Sequence, residues 1–147
     1  MYSEKIVGGE VSEHLRSELA TNALEMAMNA RGGVTGDLIH HSDRGVQYLS
    51  VAYWKALRDA GIAPSVGTTG DSYDNALSES VNGLYKAEMV RPHGEFTGTQ
   101  DPKWATLLWV DWFKNRRLHG SIGMIPPAEF EAAYYAQEQL EAGLVLK

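Results

Sequence analysis

Two segments decide the fold of this 147-residue chain: His40–Tyr48, HHSDRGVQY, and Asp74–Glu88, DNALSESVNGLYKAE. In the first, Asp43 follows a short strand-like run and precedes Gly45, which favours a tight turn. Ligands of open α/β sheets gather at the carboxyl ends of strands, so Asp43 is a candidate ligand. An aspartate in a turn also bonds to the nearby backbone, and this stretch alone does not separate the two interpretations.

The second segment predicts a helix with two different faces. One face is apolar at helical spacing and is expected to pack inward: Leu77, Val81 and Leu84. On the other face Glu79, Gly83 and Lys86 stack at i, i+4 and i+7. Such a face suits a cleft that Gly83 keeps open, but the solvated side of an ordinary amphipathic helix has the same spacing.

Composition limits the classes of protein that need to be considered. The chain is 44% hydrophobic and 22% charged, as expected of one globular domain. It has no transmembrane-length apolar run, no secretory signal and no cysteine, so a cytoplasmic protein without membrane or disulfide is expected. The five histidines include no pair at helical i, i+4 spacing, which disfavours zinc.

Charge is unevenly distributed along the chain. The net charge of −6 disfavours strong nonspecific nucleic-acid binding. The cations nevertheless cluster near the end of a predicted helix and suit phosphate contacts: Lys114, Arg116, Arg117 and His119. Cations at a helix C-terminus also favour the helix dipole, so the pattern has a structural explanation as well.

Periodicity and turn signals predict strands alternating with helices, then a helical C-terminal third. Three strands are predicted, at Lys5–Val11, Leu38–Ser42 and Ile62–Thr68. The helix starts and ends are expected at these signals: a cap at Ser12, a cap at Ser50 with Gly61 after the helix, an end near Met89, Pro102 in a first turn, and a last helix from Ala128. The helix after Pro102 is predicted to bury an apolar stripe: Trp104, Leu107, Leu108 and Trp112.

Taken together, five segments of the chain resemble the integrase core of insertion-sequence transposases, a DDE family related to retroviral integrases. They are HSDRGVQY, DNALSES, NGLYKAE, WVDWFKNRRLHGSIGMIPPAEF and YSEKIVGGEVS. The resemblance implies a ribonuclease-H-like α/β fold and metal-dependent DNA cleavage and strand transfer at transposon ends. Asp43 and Glu79, with 35 residues between them, match the family's second and third catalytic acids. The implied cofactor is Mg²⁺ or Mn²⁺, two ions in a complete site, held by hard carboxylate oxygens.

The resemblance also implies DNA as partner and a set of residues that contact it. Lys86 matches a basic residue next to the active site. The wider set of candidate DNA contacts is Arg44, Gln47, Asn75, Ser80, Lys86, Lys114, Arg116, Arg117 and His119. Asn75 and Ser80 are explained equally well as polar residues of a helix start, and Gln47 as a residue that shapes its loop.

One feature of the family is not found in the chain. The family's first catalytic Asp precedes the segment that YSEKIVGGE resembles, so the expectation is an integrase core lacking its first two strands. Residues 1–99 are then a partial catalytic core and 100–147 the helical part of the same domain. Two carboxylates hold at most one cation weakly, so the polypeptide alone is not expected to catalyse strand transfer.

Two alternatives remain open. The first is an inactive, truncated remnant with at most DNA-binding or subunit-association function. The second, an unrelated metal-dependent nuclease, is disfavoured by the long C-terminal match. An exposed sheet edge favours a homodimer or association with a complete transposase subunit. The protein is expected in the bacterial cytoplasm, and at the nucleoid while it acts on DNA.

Overall fold

A computed structural model describes residues 3–12, 17–32, 38–42, 50–66, 76–94 and 101–145. The chain forms two compact units: one is Val7–Lys103, and the other joins the residues up to Ile6 with Trp104–Lys147. Within the described residues, no helix is both long and apolar enough to cross a bilayer.

The unit Val7–Lys103 contains a small parallel sheet with helices. Its elements in chain order are α1 Ser17–Ala30, β1 Ile39–Ser42, α2 Val51–Asp59, β2 Ala63–Val66, α3 Ala76–Tyr85 and α4 Arg91–His93. The strands β1 and β2 pair in parallel, with His40 opposite Pro64. The buried core joins α1, α2 and the start of β2: Ala20, Leu24, Tyr53, Leu57 and Ile62.

Local signals position α2 as predicted. The Ser50 side chain accepts a hydrogen bond from the backbone N–H of Tyr53 at 3.2 Å, which satisfies one of the free donors of the first turn. At the other end Gly61 has a φ of +70°, a left-handed conformation that glycine adopts without strain. These two residues fix the two ends of α2, the helix between β1 and β2 in the chain.

The predicted strand at Lys5–Val11 is wrong. Residues 4–12 have no regular secondary structure, and no described strand pairs with them. A Cβ on Gly8 would lie 2.2 Å from the Ala23 carbonyl oxygen and 3.1 Å from the Ala27 backbone nitrogen. The backbone at Gly8 therefore packs directly on α1, a position that the strand-like composition of the segment does not reveal.

A single helical run extends from α3 to α4 through a π-helical turn. The turn spans Lys86–Val90, and the Arg91 N–H donates to the Lys86 carbonyl, one residue further than in an α-helix. Pro92 follows directly, and it has no N–H with which to bond to Glu88 four residues earlier. The π-helical turn therefore lies where Pro92 interrupts the hydrogen bonds of a regular α-helix.

The second unit contains α5 Pro102–Asn115, a 3₁₀ turn Gly120–Ile122 and α6 Pro127–Val145. Pro102 lies in the first turn of α5, as predicted. The buried side chains of α5 are Trp109 and Phe113, at i and i+4, and the Phe113 ring contacts His119 edge-on at 4.6 Å. The predicted buried stripe is therefore wrong, since its four members are 39–63% exposed: Trp104, Leu107, Leu108 and Trp112.

The N-terminal residues belong to this second unit through three side-chain contacts. Glu4 accepts hydrogen bonds from His119 Nδ1 at 2.9 Å and from Ser121 Oγ at 2.6 Å. Lys5 forms an ion pair with Glu131 of α6. Glu4 has a φ of +54°, which is uncommon for a residue with a side chain and shows that these contacts hold its backbone in place.

Candidate functional site

Helix α3 presents Glu79 and Lys86 to solvent. Both side chains are exposed, whereas the apolar face is half-buried at Leu77, Val81 and Leu84. The two faces predicted from spacing are therefore the faces that form. Glu79 lies in the first turn of α3, where a carboxylate is stabilised by the helix dipole.

Lys86 lies seven residues after Glu79, at the start of the π-helical turn. Because the run between them is α-helical, seven residues bring Lys86 back to within about 20° of Glu79 around the axis. Nothing lies within 4 Å of a Cβ built on Gly83, so the space between the two side chains is open. A carboxylate and an ammonium group thus share one unobstructed helix face.

Several predicted site residues lie outside the described residues: Asp43, Arg44, Gln47 and Asn75. Strand β1 is described up to Ser42, and Asp43 is the next residue in the chain. Among the residues that the structure describes, no three histidine or acidic side chains converge as a metal site would require. Glu79 has the carboxylate chemistry that Mg²⁺ and Mn²⁺ prefer, and Asp43 is the second carboxylate that the sequence assigns to them.

Ser80 is exposed, next to Glu79 in α3. Its hydroxyl donates to the Ala76 carbonyl at 2.7 Å, a bond within the helix that Ser commonly makes. The hydroxyl can rotate away from this bond at small cost, so its assignment as a DNA contact stays a prediction.

The cations at the end of α5 differ in their environments. Arg116 is exposed, and Lys114 and Arg117 are half-buried. The Arg117 guanidinium lies 5.7 Å from the Phe113 ring centre and 6.0 Å from that of Trp112, within the range of cation–π attraction. Arg116 is therefore the cation most accessible to a phosphate, and the role of all three in binding DNA stays a prediction.

His119 is buried, with 4% of its surface exposed. Its Nδ1 is held by Glu4 and its ring by Phe113, so the side chain is not presented to solvent. The predicted DNA contact does not agree with this position. The histidine instead ties the 3₁₀ turn to the N-terminal residues, an arrangement that follows from contacts between distant parts of the chain.

A polar pair between β1 and α2 was missed by the sequence analysis. The Tyr53 hydroxyl and His40 Nε2 are hydrogen-bonded at 2.7 Å, and the two rings meet edge-on at 5.5 Å. Burial lowers the pKa of His40, the neighbouring His41 lowers it further, and a backbone hydrogen bond of the same residue opposes the shift. Adjacent residues of a strand point to opposite faces, and in β1 His40 is half-buried and His41 exposed.

Comparison with known proteins gives a consistent set of matches. Two family models, each described as an integrase core domain, match residues 1–72 and 60–127. The chain is 46% identical over 145 residues to a putative transposase for insertion sequence element IS986/IS6110 of Mycobacterium tuberculosis (strain ATCC 25177 / H37Ra), covering 96% of this chain and 52% of the relative. It is also 46% identical over 136 residues to the transposase for insertion sequence element IS629 of Shigella sonnei, covering 92% of this chain and 45% of the relative.

A solved structure with the same fold is the catalytic core domain of BIV integrase. It matches with a TM-score of 0.63 at 15% identity, and the match covers 88% of this chain and 80% of that chain. At this identity the likeness concerns the fold alone. The chain spans about half the length of the curated relatives it matches.

Proposed function

Since this chain belongs to the integrase core domain family and has its ribonuclease-H-like fold, we propose that it forms the C-terminal part of a DNA transposase catalytic core. In the complete core, the substrate is a DNA phosphodiester at a transposon end, and the reaction is metal-dependent cleavage followed by strand transfer. Asp43 and Glu79 hold the metal, and Lys86 contacts DNA beside it. The observation that carries the proposal is the exposed face of α3, on which Glu79 and Lys86 lie together over an unobstructed glycine.

The chemistry of the side chains supports these roles. Bound by carboxylates, Mg²⁺ or Mn²⁺ supplies Lewis acidity that polarises a phosphodiester. Glu79 contributes a hard anionic oxygen ligand, and its exposure means that no buried partner has to be displaced for an ion to bind. Lys86 contributes a compact positive charge for a phosphate oxygen on the same side of the helix.

The test of the metal site is calorimetric titration of the protein with Mn²⁺. We expect Asp43→Asn and Glu79→Gln each to weaken Mn²⁺ binding by about tenfold or more, since each removes one ionised ligand. Glu129→Gln is the matched control, because Glu129 is also an exposed acid in the first turn of a helix. Equal Mn²⁺ affinity in all three variants and the unaltered protein would refute the site.

A second candidate function is DNA binding without catalysis. It is favoured by the cations that follow α5, of which Arg116 is exposed and Arg117 half-buried. Fluorescence anisotropy with a DNA duplex, measured over a range of salt concentrations, tests it. The double variant Arg116→Gln with Arg117→Gln is expected to reduce the slope of log K against log salt by about 1.8, for two lost phosphate contacts.

The two candidates differ in metal binding. The catalytic-core role predicts Mn²⁺ binding that Glu79→Gln weakens; nicking of DNA is not expected of this polypeptide alone, because two carboxylates hold at most one cation weakly. DNA binding alone predicts the salt-dependent anisotropy change without Mn²⁺ binding at Glu79. Retention of binding in the arginine double variant, with an unchanged salt slope, would contradict the assignment of those two side chains.

A further inference from the structure

The helical run from α3 to α4 changes its phase at the π-helical turn Lys86–Val90. The Arg91 N–H donates there to the Lys86 carbonyl, five residues earlier, whereas an α-helix would use Ala87, four residues earlier. The turn therefore takes up one residue more than an α-helical turn does. Each residue of an α-helix advances the chain by about 100° around the axis, so the side chains after the turn are rotated by about that angle.

The burial of Met89 agrees with this rotation. Met89 lies seven residues after Asn82 and eleven after Ser78, and in a regular α-helix both intervals return to the same side within about 20°. Asn82 and Ser78 are exposed, yet Met89 is only 2% exposed. The π-helical turn thus rotates Met89 away from the side of these two polar residues and towards the buried side of the helix.

The same rotation brings Arg91 onto the face of α3 that carries Glu79 and Lys86. In an uninterrupted α-helix Arg91, twelve residues after Glu79, would lie about 120° from it around the axis. With one residue taken up by the turn, this angle falls to about 20°. Arg91 is exposed, as Glu79 and Lys86 are. The three side chains therefore form a line along one side of the helical run, with Arg91 about one turn, or about 5 Å, beyond Lys86.

Both cations of this line are available to a ligand. Among the residues that the structure describes, no acidic side chain forms an ion pair with Lys86 or Arg91. The position of Arg91 depends on Pro92, whose missing N–H interrupts the hydrogen bonds of a regular helix directly after the π-helical turn. The sequence thus contains both the cation and the residue that favours its rotated position.

We propose that Arg91 binds a DNA backbone phosphate next to the one at Lys86, and that the π-helical turn before Pro92 positions it there. The inference rests on the proposed function, which supplies DNA as the partner. A guanidinium binds phosphate through two parallel hydrogen bonds. Phosphates of one strand follow each other at about 3.4 Å along the duplex axis, so cations about 5 Å apart reach neighbouring phosphates. With Glu79 and Lys86, Arg91 fixes the direction in which the strand runs along the helix.

Fluorescence anisotropy with a DNA duplex, over a range of salt concentrations, tests Arg91. Arg91→Gln should reduce the slope of log K against log salt by about 0.9 and weaken binding about five- to tenfold at about 0.1 M salt, for one lost phosphate contact. Arg91→Lys keeps the charge and should keep the slope. Arg58→Gln is the matched control, because Arg58 is an arginine of the same unit with 78% of its side chain exposed, and it should not change the slope. An unchanged slope in Arg91→Gln, or an equal decrease in Arg58→Gln, would overturn the proposal.

Pro92→Ala tests the positioning. The alanine supplies the missing N–H and favours a regular α-helix, which would turn Arg91 away from the Glu79–Lys86 face. We expect the slope to fall by about 0.9, as in Arg91→Gln, and to fall no further when both substitutions are combined, because Pro92 acts through Arg91. Both positions are exposed, so urea unfolding should show that these variants remain folded. An unchanged slope in Pro92→Ala, or additive losses in the double variant, would refute the role of the turn.

Mn²⁺ titration of Glu79→Gln separates this inference from the proposed function. If Glu79→Gln loses Mn²⁺ affinity while Arg91→Gln keeps the salt slope of the unaltered protein, the metal site stands and the role of Arg91 fails. If Glu79→Gln keeps full Mn²⁺ affinity, the metal site fails, and the salt slope of Arg91→Gln still decides whether Arg91 contacts phosphate. Absence of salt-dependent DNA binding in the unaltered protein would overturn the role of Arg91 together with DNA as the partner.

Discussion

Replacing Gly8 by alanine should destabilise the protein, because a methyl group has no room there. The built Cβ lies 2.2 Å from the Ala23 carbonyl oxygen, and contacts below 3.0 Å require something to shift. The obstacle is the backbone of α1, so no side chain can rotate out of the way. Relief requires a displacement of about 1 Å between the segment and the helix, for which overpacking costs of about 1–3 kcal/mol are typical.

Gly9→Ala is the matched control for this prediction. Nothing lies within 4 Å of a Cβ at Gly9, and its backbone φ is not in the left-handed region. There alanine should stabilise by about 0.4–1 kcal/mol, by restricting the unfolded chain. The two variants, identical in composition, should therefore differ in their free energy of unfolding by about 1.4–4 kcal/mol, or by about 5–13 °C in Tm for a protein of this size.

The assay is thermal and urea unfolding followed by circular dichroism, with hydrogen exchange to locate the effect. Amides of α1 should lose protection in Gly8→Ala and keep it in Gly9→Ala, because the methyl group presses on that helix. Equal stability of the two variants would refute the close approach of Gly8 to α1. It would also reopen the interpretation of this segment as a strand.

Three further pairs of substitutions test packing and hydrogen bonds. Phe113→Ala should lower the free energy of unfolding by about 3–5 kcal/mol, whereas Leu108→Ala, on the exposed face of α5, should lower it by less than about 1 kcal/mol. Equal losses in urea unfolding would contradict the observed buried face of α5. Ser50→Ala should lower the free energy of unfolding by about 1 kcal/mol by removing the cap of α2, and Ser50→Asp should retain most of that stability. Equal stability of Ser50→Ala and the unaltered protein in urea unfolding would contradict the cap. Glu4→Ala should lower the free energy of unfolding by about 1–3 kcal/mol, because the buried His119 imidazole loses its acceptor. Ser121→Ala, at an exposed hydroxyl, should lower it less. The reverse order in urea unfolding would contradict the role of the Glu4 carboxylate.

The elements that could be predicted from sequence are those fixed by local signals. The start of α2 follows from the ability of Ser50 to accept a hydrogen bond from the first turn, and its end follows from Gly61. The Glu79–Lys86 face of α3 was predictable for the same reason, since helical spacing alone puts two residues seven apart on one side. None of these features depends on a distant part of the chain.

The errors occur where distant residues decide the outcome. Helix α5 is apolar on two sides, so periodicity does not choose between the stripe through Leu108 and the pair Trp109 and Phe113. The choice is made by His119, which packs edge-on against Phe113. In the same way, the segment at Gly8 has strand-like composition, but its backbone lies on α1.

The candidate site was predictable to a similar extent. Glu79 and Lys86 were identified with the correct exposure, because their environment is their own helix. The burial of His119 was not, because the carboxylate that holds it is 115 positions away in the sequence. The bond between His40 and Tyr53 joins a strand to a helix 13 positions later, and no local pattern indicated it.

The contacts of Glu4 and Lys5 have a consequence for the order in which the protein folds. Lys5 pairs with Glu131, 126 positions later, and Glu4 with His119. During synthesis from the N-terminus, these first residues are translated long before their partners exist. Closing so long a loop is slow relative to local helix formation, so docking of the N-terminus should be a late step. A nascent chain halted before α6 would therefore carry Lys5 without its ion-pair partner, and this unit can close only after α6 has been synthesised.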